Sequence, residues 1–120
     1  MSLFYDEDDR HYMYVITRRD MPENIASVQG AHAIMEHYLS GRGGDKHPAV
    51  CYLTVDDQEA LLTLRVSCEW RDMNITGFVE NFGELDGQLT GLCCGPLAKH
   101  NKLRRLFSQC KLLGDNDESI

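Results

Sequence analysis

"YMYVITRRDMPENIASVQGAHAIMEHYL", residues 12–39, decides the fold. Its first six residues, Tyr12 to Thr17, are a short continuous apolar run, the pattern of a strand covered on both faces. Arg18, Arg19 and Asp20 follow it. Pro22 supplies the fixed φ of a first helical turn, and Asp20 stands three residues before Glu23 as in a capping box. A helix over 22–39 results, with Ile25, Val28, His32, Met35 and Leu39 along one stripe. His32 is the obvious candidate base in this helix, but the stripe favours a hydrogen-bonded histidine at the edge of the core. Gln29 lies one turn closer to the helix start and can both donate and accept.

Outward from this segment, "SGRGGDKHP" (40–48) reads as a loop and "AVCYLTV" (49–55) as a second strand. Asp56 and Glu59 repeat the capping-box spacing ahead of a helix. That helix carries Leu61, Leu64 and Cys68 on one stripe, widened by Leu62 and Val66, and ends near Trp70. "ITGFVE" (75–80) is a third strand, 81–88 a Gly-rich loop, and "LTGLCC" (89–94) a fourth strand broken by Gly95-Pro96. Leu103, Leu106, Phe107 and Cys110 then follow helical spacing. The order is β-α-β-α-β-β-α. Strands separated by helices are parallel with right-handed crossovers, and the close third and fourth strands make the fourth antiparallel. The expectation is a three-layer α/β/α domain with a four-stranded mixed sheet and residues 12–17 in its interior.

A chain of 120 residues forms one domain. Its net charge of −7 is concentrated at the ends. Residues 1–10 hold four acids and one base, and 115–120 hold three acids and none, which leaves 11–114 at −1. Both ends read as mobile acidic tails flanking a domain at 11–114. Binding of a polyanion is therefore expected to be weak and salt-sensitive. No apolar stretch is long enough to span a bilayer, and residues 1–10 lack the pattern of a signal peptide. A cytoplasmic protein with reduced cysteines is expected. Cys51, Cys68 and Cys110 fall on apolar stripes, and Cys93 and Cys94 point to opposite faces of their strand. No metal-ligand spacing is present, and no cofactor is expected.

In open α/β sheets, ligands collect beyond the carboxyl ends of the parallel strands. Arg18, Arg19 and Asp20 follow the first strand there; Glu80, Glu84 and Asp86 follow the third. Two arginines beside a helix N-terminus suit a phosphate, and the bland reading is loop charges in water. No G-x-S-x-G elbow or P-loop occurs, so a covalent nucleophile is not indicated and an activated water is the simplest one.

Four motifs in order carry a resemblance. "YVITRRDM" (14–21), "ASVQGAHA" (26–33), "LTVDDQEALLTL" (53–64) and "TGLCCGP" (90–96) resemble the R-x-D-L/M strand end, the A-x-x-Q-x-x-H-A helix, the second strand with D-E-x-x-L-x-x-L and the closing T-x-L-x-x-G-P strand of the type II peptidyl-tRNA hydrolases. The likeness spans about residues 12–112, and Q-x-x-H-A is its most specific piece. It marks Arg18, Asp20, Gln29, His32 and Thr90. It implies a mixed sheet between helices and hydrolysis of the ester joining a peptide to the tRNA 3′ ribose. The departures are Ile25 in place of a Lys, Glu80 in place of an Asp, Glu84 in place of a Thr, and a shorter loop before the last strand. Two classes of function follow. In an ester hydrolase, Glu80 activates water, Arg18 or Arg19 binds phosphate, and Gln29 and Thr90 position the substrate. In a non-catalytic binding protein, the same fold engages tRNA or a protein partner. Oligomeric state is not legible.

Overall fold

The computed structural model describes residues 3–6 and 9–114; the remainder of the N-terminal tail and the C-terminal tail 115–120 lie outside the described residues. The apolar run at 12–17 lies within strand β1 (His11–Arg18), which is interior as expected. β2 (Ala49–Val55) pairs with it in parallel and β4 (Leu89–Ala98) antiparallel. With β3 (Ile75–Val79) and β5 (Lys111–Leu112) at the edges, the sheet order is β3-β4-β1-β2-β5. Among the described residues the fold is mixed α/β, one five-stranded sheet with two α-helices, α1 (Glu23–Leu39) and α2 (Gln58–Trp70).

The period-2 alternation of β1 splits the core into two clusters. Tyr14 and Ile16 join Leu61, Leu64 and Cys68 of α2, while Met13 and Val15 join Ala33 of α1. Cys93 and Cys94 divide in the same way, and all five cysteines are free. Burial pushes the Cys93 thiol up to about 12, which keeps it a protonated, inert core residue. At the N-terminus, Phe4 bridges to His47, whose N–H donates to the Leu3 carbonyl at 2.6 Å.

Four expectations are corrected. The sheet has five strands rather than four, because the chain end adds β5 to the free edge of β2, where Leu112 pairs with Leu53 and Lys111 with Thr54. The final amphipathic helix is a 3₁₀ segment, Lys102–Phe107. Its buried Phe107 stacks on Tyr14 at 4.2 Å, and only three residues then separate it from β5, too few to continue a helix. Gly95-Pro96 does not end the fourth strand. It forms a bulge opposite Met13 through a cis peptide, and β4 resumes pairing at Leu97. Neither capping box forms as read. Asp20 is held by Arg18 and Asp56 by Arg19; Pro22 stands at the N-cap of α1 and gives it no side-chain cap, and α2 is capped by Asp57, which accepts from the Ala60 N–H at 2.9 Å.

α1 also presents a different face. Ala26, Gln29, Gly30, Ala33 and His37 are buried, whereas Ile25, Val28, Met35 and Leu39 are 37%, 50%, 58% and 79% exposed. The reason is close approach. A Cβ on Gly30 would fall 1.7 Å from the Tyr52 hydroxyl oxygen, and one on Gly91 of β4 would fall 2.9 Å from the Gln29 carbonyl oxygen. At Gly30 and Gly91 helix and sheet approach too closely for a larger side chain. His32 therefore lies on the exposed face. The buried, hydrogen-bonded histidine is His37, whose Nε2–H donates to the Gly95 carbonyl at 2.8 Å while Nδ1 accepts from the Thr76 hydroxyl at 2.7 Å.

Candidate functional site at the strand-end rim

β4 runs antiparallel to both β1 and β3, so the start of β4 lies at the same rim as the ends of β1 and β3. The pairing of β3 with β4 slips there: Phe78 pairs with Gly91 and Val79 with Leu89, which leaves Thr90 as the extra residue of a bulge. Bulges re-aim side chains. Thr90, fully buried, turns its hydroxyl to α1 and donates to Gln29 Oε1 at 2.7 Å. Gln29 Nε2 in turn donates to Glu80 Oε2 at 2.8 Å, and the other Glu80 oxygen accepts the Asn81 N–H at 2.9 Å. Alternate positions from the third strand thus meet α1 in antiparallel order. Thr76 bonds His37, Phe78 stacks on His32 with ring centroids 4.7 Å apart, and Glu80 bonds Gln29.

These contacts set the electrostatics. The Gln29 amide, then the Asn81 N–H, hold the Glu80 carboxyl below its usual range, with a further contribution from His32. Glu80 is therefore an ionised acceptor at neutral pH, suited to fixing the orientation of a water and weaker as a base than an unperturbed glutamate.

The arginines are engaged. Arg18 is 5% exposed and grips Asp20 through Nε and Nη2 at 2.9 and 2.8 Å. Its Nη1 donates to Gln88 Oε1 at 2.8 Å and to the Leu89 carbonyl at 3.2 Å. Hydrogen bonding to Arg18 lowers the Asp20 carboxyl below its usual value. Arg18 thus braces the rim rather than offering a free cation. Arg19 pairs through Nη2 with Asp56, and its buried Nη1 has no hydrogen-bond partner among the described residues. Two clefts flank Arg19. One, of about 520 Å³, runs along α2 past Asp57, Thr63 and Ser67; the other, of about 310 Å³, is lined by Arg18, Met21, Glu23 and Leu113. Neither is lined by Gln29, His32, Glu80 or Thr90.

Of the expected residues, Gln29, Glu80 and Thr90 meet in one hydrogen-bonded line, and His32 adjoins it. Arg18 and Asp20 form a second group, joined to the first through the neighbouring Gln88, Leu89 and Thr90. Arg19 turns toward α2. Sequence reasoning missed Gln88, which ties the loop to Arg18, as well as Asn81 and Phe78. No local signal marks them, because each acts across the sheet or through its backbone. Among the described residues, no group of three His, Cys, Asp or Glu side chains is placed to hold a metal ion, and no helix is long and apolar enough to cross a membrane.

No family model matches the chain, and no curated protein does. Among solved structures, a protein of unknown function from Agrobacterium tumefaciens strain C58 is similar, with a TM-score of 0.59 and 16% identity over 89% of this chain and 98% of that one. At that identity the two share a fold, and a fold alone assigns no activity.

Proposed function

We propose that the Thr90–Gln29–Glu80 line serves hydrolysis of an ester. The substrate class is the one the sequence resemblance implies, a peptide on the 3′ ribose of a tRNA, met in the cytoplasm on a domain of α/β/α layering. One observation carries the reading: side chains from α1, β4 and the end of the third strand converge on an ionised carboxylate at the rim. In this reading Thr90 fixes the rotamer of Gln29, and Gln29 fixes Glu80. Glu80 orients a water toward the ester carbonyl carbon and accepts its proton, and the ribose hydroxyl leaves with a proton from solvent. Arg18 and Asp20 keep the rim in shape. Arg19 meets a phosphate by exchanging Asp56 for it.

A second reading, a non-catalytic protein that binds tRNA or a protein partner on the same fold, is favoured by a specific observation. Both arginines are already paired with carboxylates, and the family lysine is replaced by Ile25. Turnover of a peptidyl-tRNA by the purified chain separates the two. Glu80→Gln is expected to lower turnover by about 10²–10⁴-fold with binding largely kept. Wild-type turnover at the uncatalysed rate rejects the hydrolase; tRNA binding that weakens with salt and with Arg19→Ala then supports the second reading.

A further inference from the structure

A pair of stacked rings beside the Glu80 carboxylate takes no part in the chemistry proposed above. The His32 and Phe78 rings lie 4.7 Å apart, centroid to centroid, and 13° from parallel. We infer that the outer face of His32 is a stacking platform for a nucleobase, the one carried by the ribose that bears the ester; the inference rests on the hydrolase reading.

The platform is anchored on one side and open on the other. Phe78 is half-buried and packs against the cluster of Met13, Val15, Ala33 and Cys93, which ties the pair to the sheet. Phe78 covers one face of His32, and His32 is exposed. A histidine that serves only the fold is ordinarily hydrogen-bonded, as His37 is to Thr76 and Gly95. Neither ring nitrogen of His32 makes a hydrogen bond among the described residues. Its orientation comes from the stack, which leaves one π face and both nitrogens to a ligand. Val28 and Met35, four residues before it and three after, are 50% and 58% exposed and give the platform an apolar rim.

Position and charge select the occupant. Gln29 and His32 are three residues apart on α1, about 5–6 Å between Cβ atoms. Phe78 and Glu80 are two apart, about 6.5 Å of extended chain. The platform therefore stands one side chain away from the carboxylate that orients the water. A ribose with its ester at Glu80 carries its base on the same sugar ring, within that reach. The peptide leads away through the acyl carbon, and its side chains vary from one substrate to the next. The chain carries −7, so attraction for backbone phosphates is weak. Stacking supplies affinity that does not depend on charge.

Fluorescence anisotropy of the full chain at low salt, with a short 5′-labelled single-stranded RNA and protein up to about 1 mM, tests this. The comparison is the same RNA with an abasic 3′-terminal residue. The abasic RNA is expected to bind about 5–150-fold more weakly, the loss that follows removal of one base–aromatic stack. His32→Ala, checked for a native circular dichroism spectrum, is expected to bind the two RNAs alike, and His32→Phe to restore the preference. Glu80→Gln is expected to lose turnover and keep the preference, so chemistry and platform are read separately. Wild-type turnover at the uncatalysed rate with the preference intact rejects the hydrolase and supports the platform. A wild-type chain that binds both RNAs equally, or neither, overturns the inference. So does a His32→Ala chain that keeps the preference, and so does equal weakening when the abasic residue is moved to the 5′ end.

Discussion

α1 and α2 lie against the same sheet by opposite means. α2 buries Leu61, Leu64 and Cys68, a stripe of large apolar side chains interlocked with Tyr14 and Ile16. α1 buries two alanines, a glycine, a glutamine and a histidine, and keeps Ile25, Val28, Met35 and Leu39 outside. One contact is held by apolar area, the other by close backbone approach and directed hydrogen bonds. The second kind places polar groups at fixed positions, and the candidate site sits on it. The difference teaches that an amphipathic pattern reports a buried face only where side-chain volume fills the gap between helix and sheet.

Substitutions can break or sharpen this contrast, and the largest effect is expected on the α2 side. Leu61 is fully buried among apolar neighbours, so Leu61→Ala should cost about 2–5 kcal/mol in equilibrium unfolding. A cost under about 1 kcal/mol would mean that this contact is not held by area.

On the α1 side the sensitive positions are the small ones. Gly91→Val adds bulk where even a Cβ lies 2.9 Å from the Gln29 carbonyl oxygen and 3.3 Å from Ala33 Cβ. It should cost about 1–3 kcal/mol and, by shifting Gln29, lower any activity of the Glu80 group further than stability explains. Unchanged unfolding in this variant would refute close approach as the determinant of α1 packing.

His37 gives the α1 contact a pH dependence. Burial, and then the nearby Arg42 charge, push its pKa below the usual 6.5, against the opposing pull of the Gly95 carbonyl. The unfolded chain therefore binds the proton more readily than the folded one. The stability contribution is fully present above pH 6.5 and is lost as pH falls below it toward the folded-state value. Urea midpoints measured from about pH 7 to 5 should fall, and should fall less steeply in His37→Gln. Equal slopes would remove His37 as the titrating group.

The smallest effect is expected on the exposed stripe of α1. Leu39→Ala, at a position 79% exposed, should change stability by no more than about 0.5 kcal/mol, although the sequence pattern alone would have placed it in the core. A loss like that of Leu61→Ala would show that the stripe is covered.

The sequence by itself determined the interior strand 12–17, the strand at 49–55, both α-helices and the opposite facing of Cys93 and Cys94, because each follows from local propensity and period. Through the family resemblance it also nominated Gln29, Glu80 and Thr90, which the fold brings into one hydrogen-bonded line. Only the tertiary structure decided which side of α1 faces inward, since that depends on the space above Gly91 and beside Tyr52. It decided that Asp20 and Asp56 serve arginines rather than helix caps, because a guanidinium brought close by the fold competes for the same carboxylate oxygens as a backbone N–H. And it decided that two residues near the chain end become a strand, because a lone pair of residues has no strand propensity of its own until the open edge of β2 offers it hydrogen bonds.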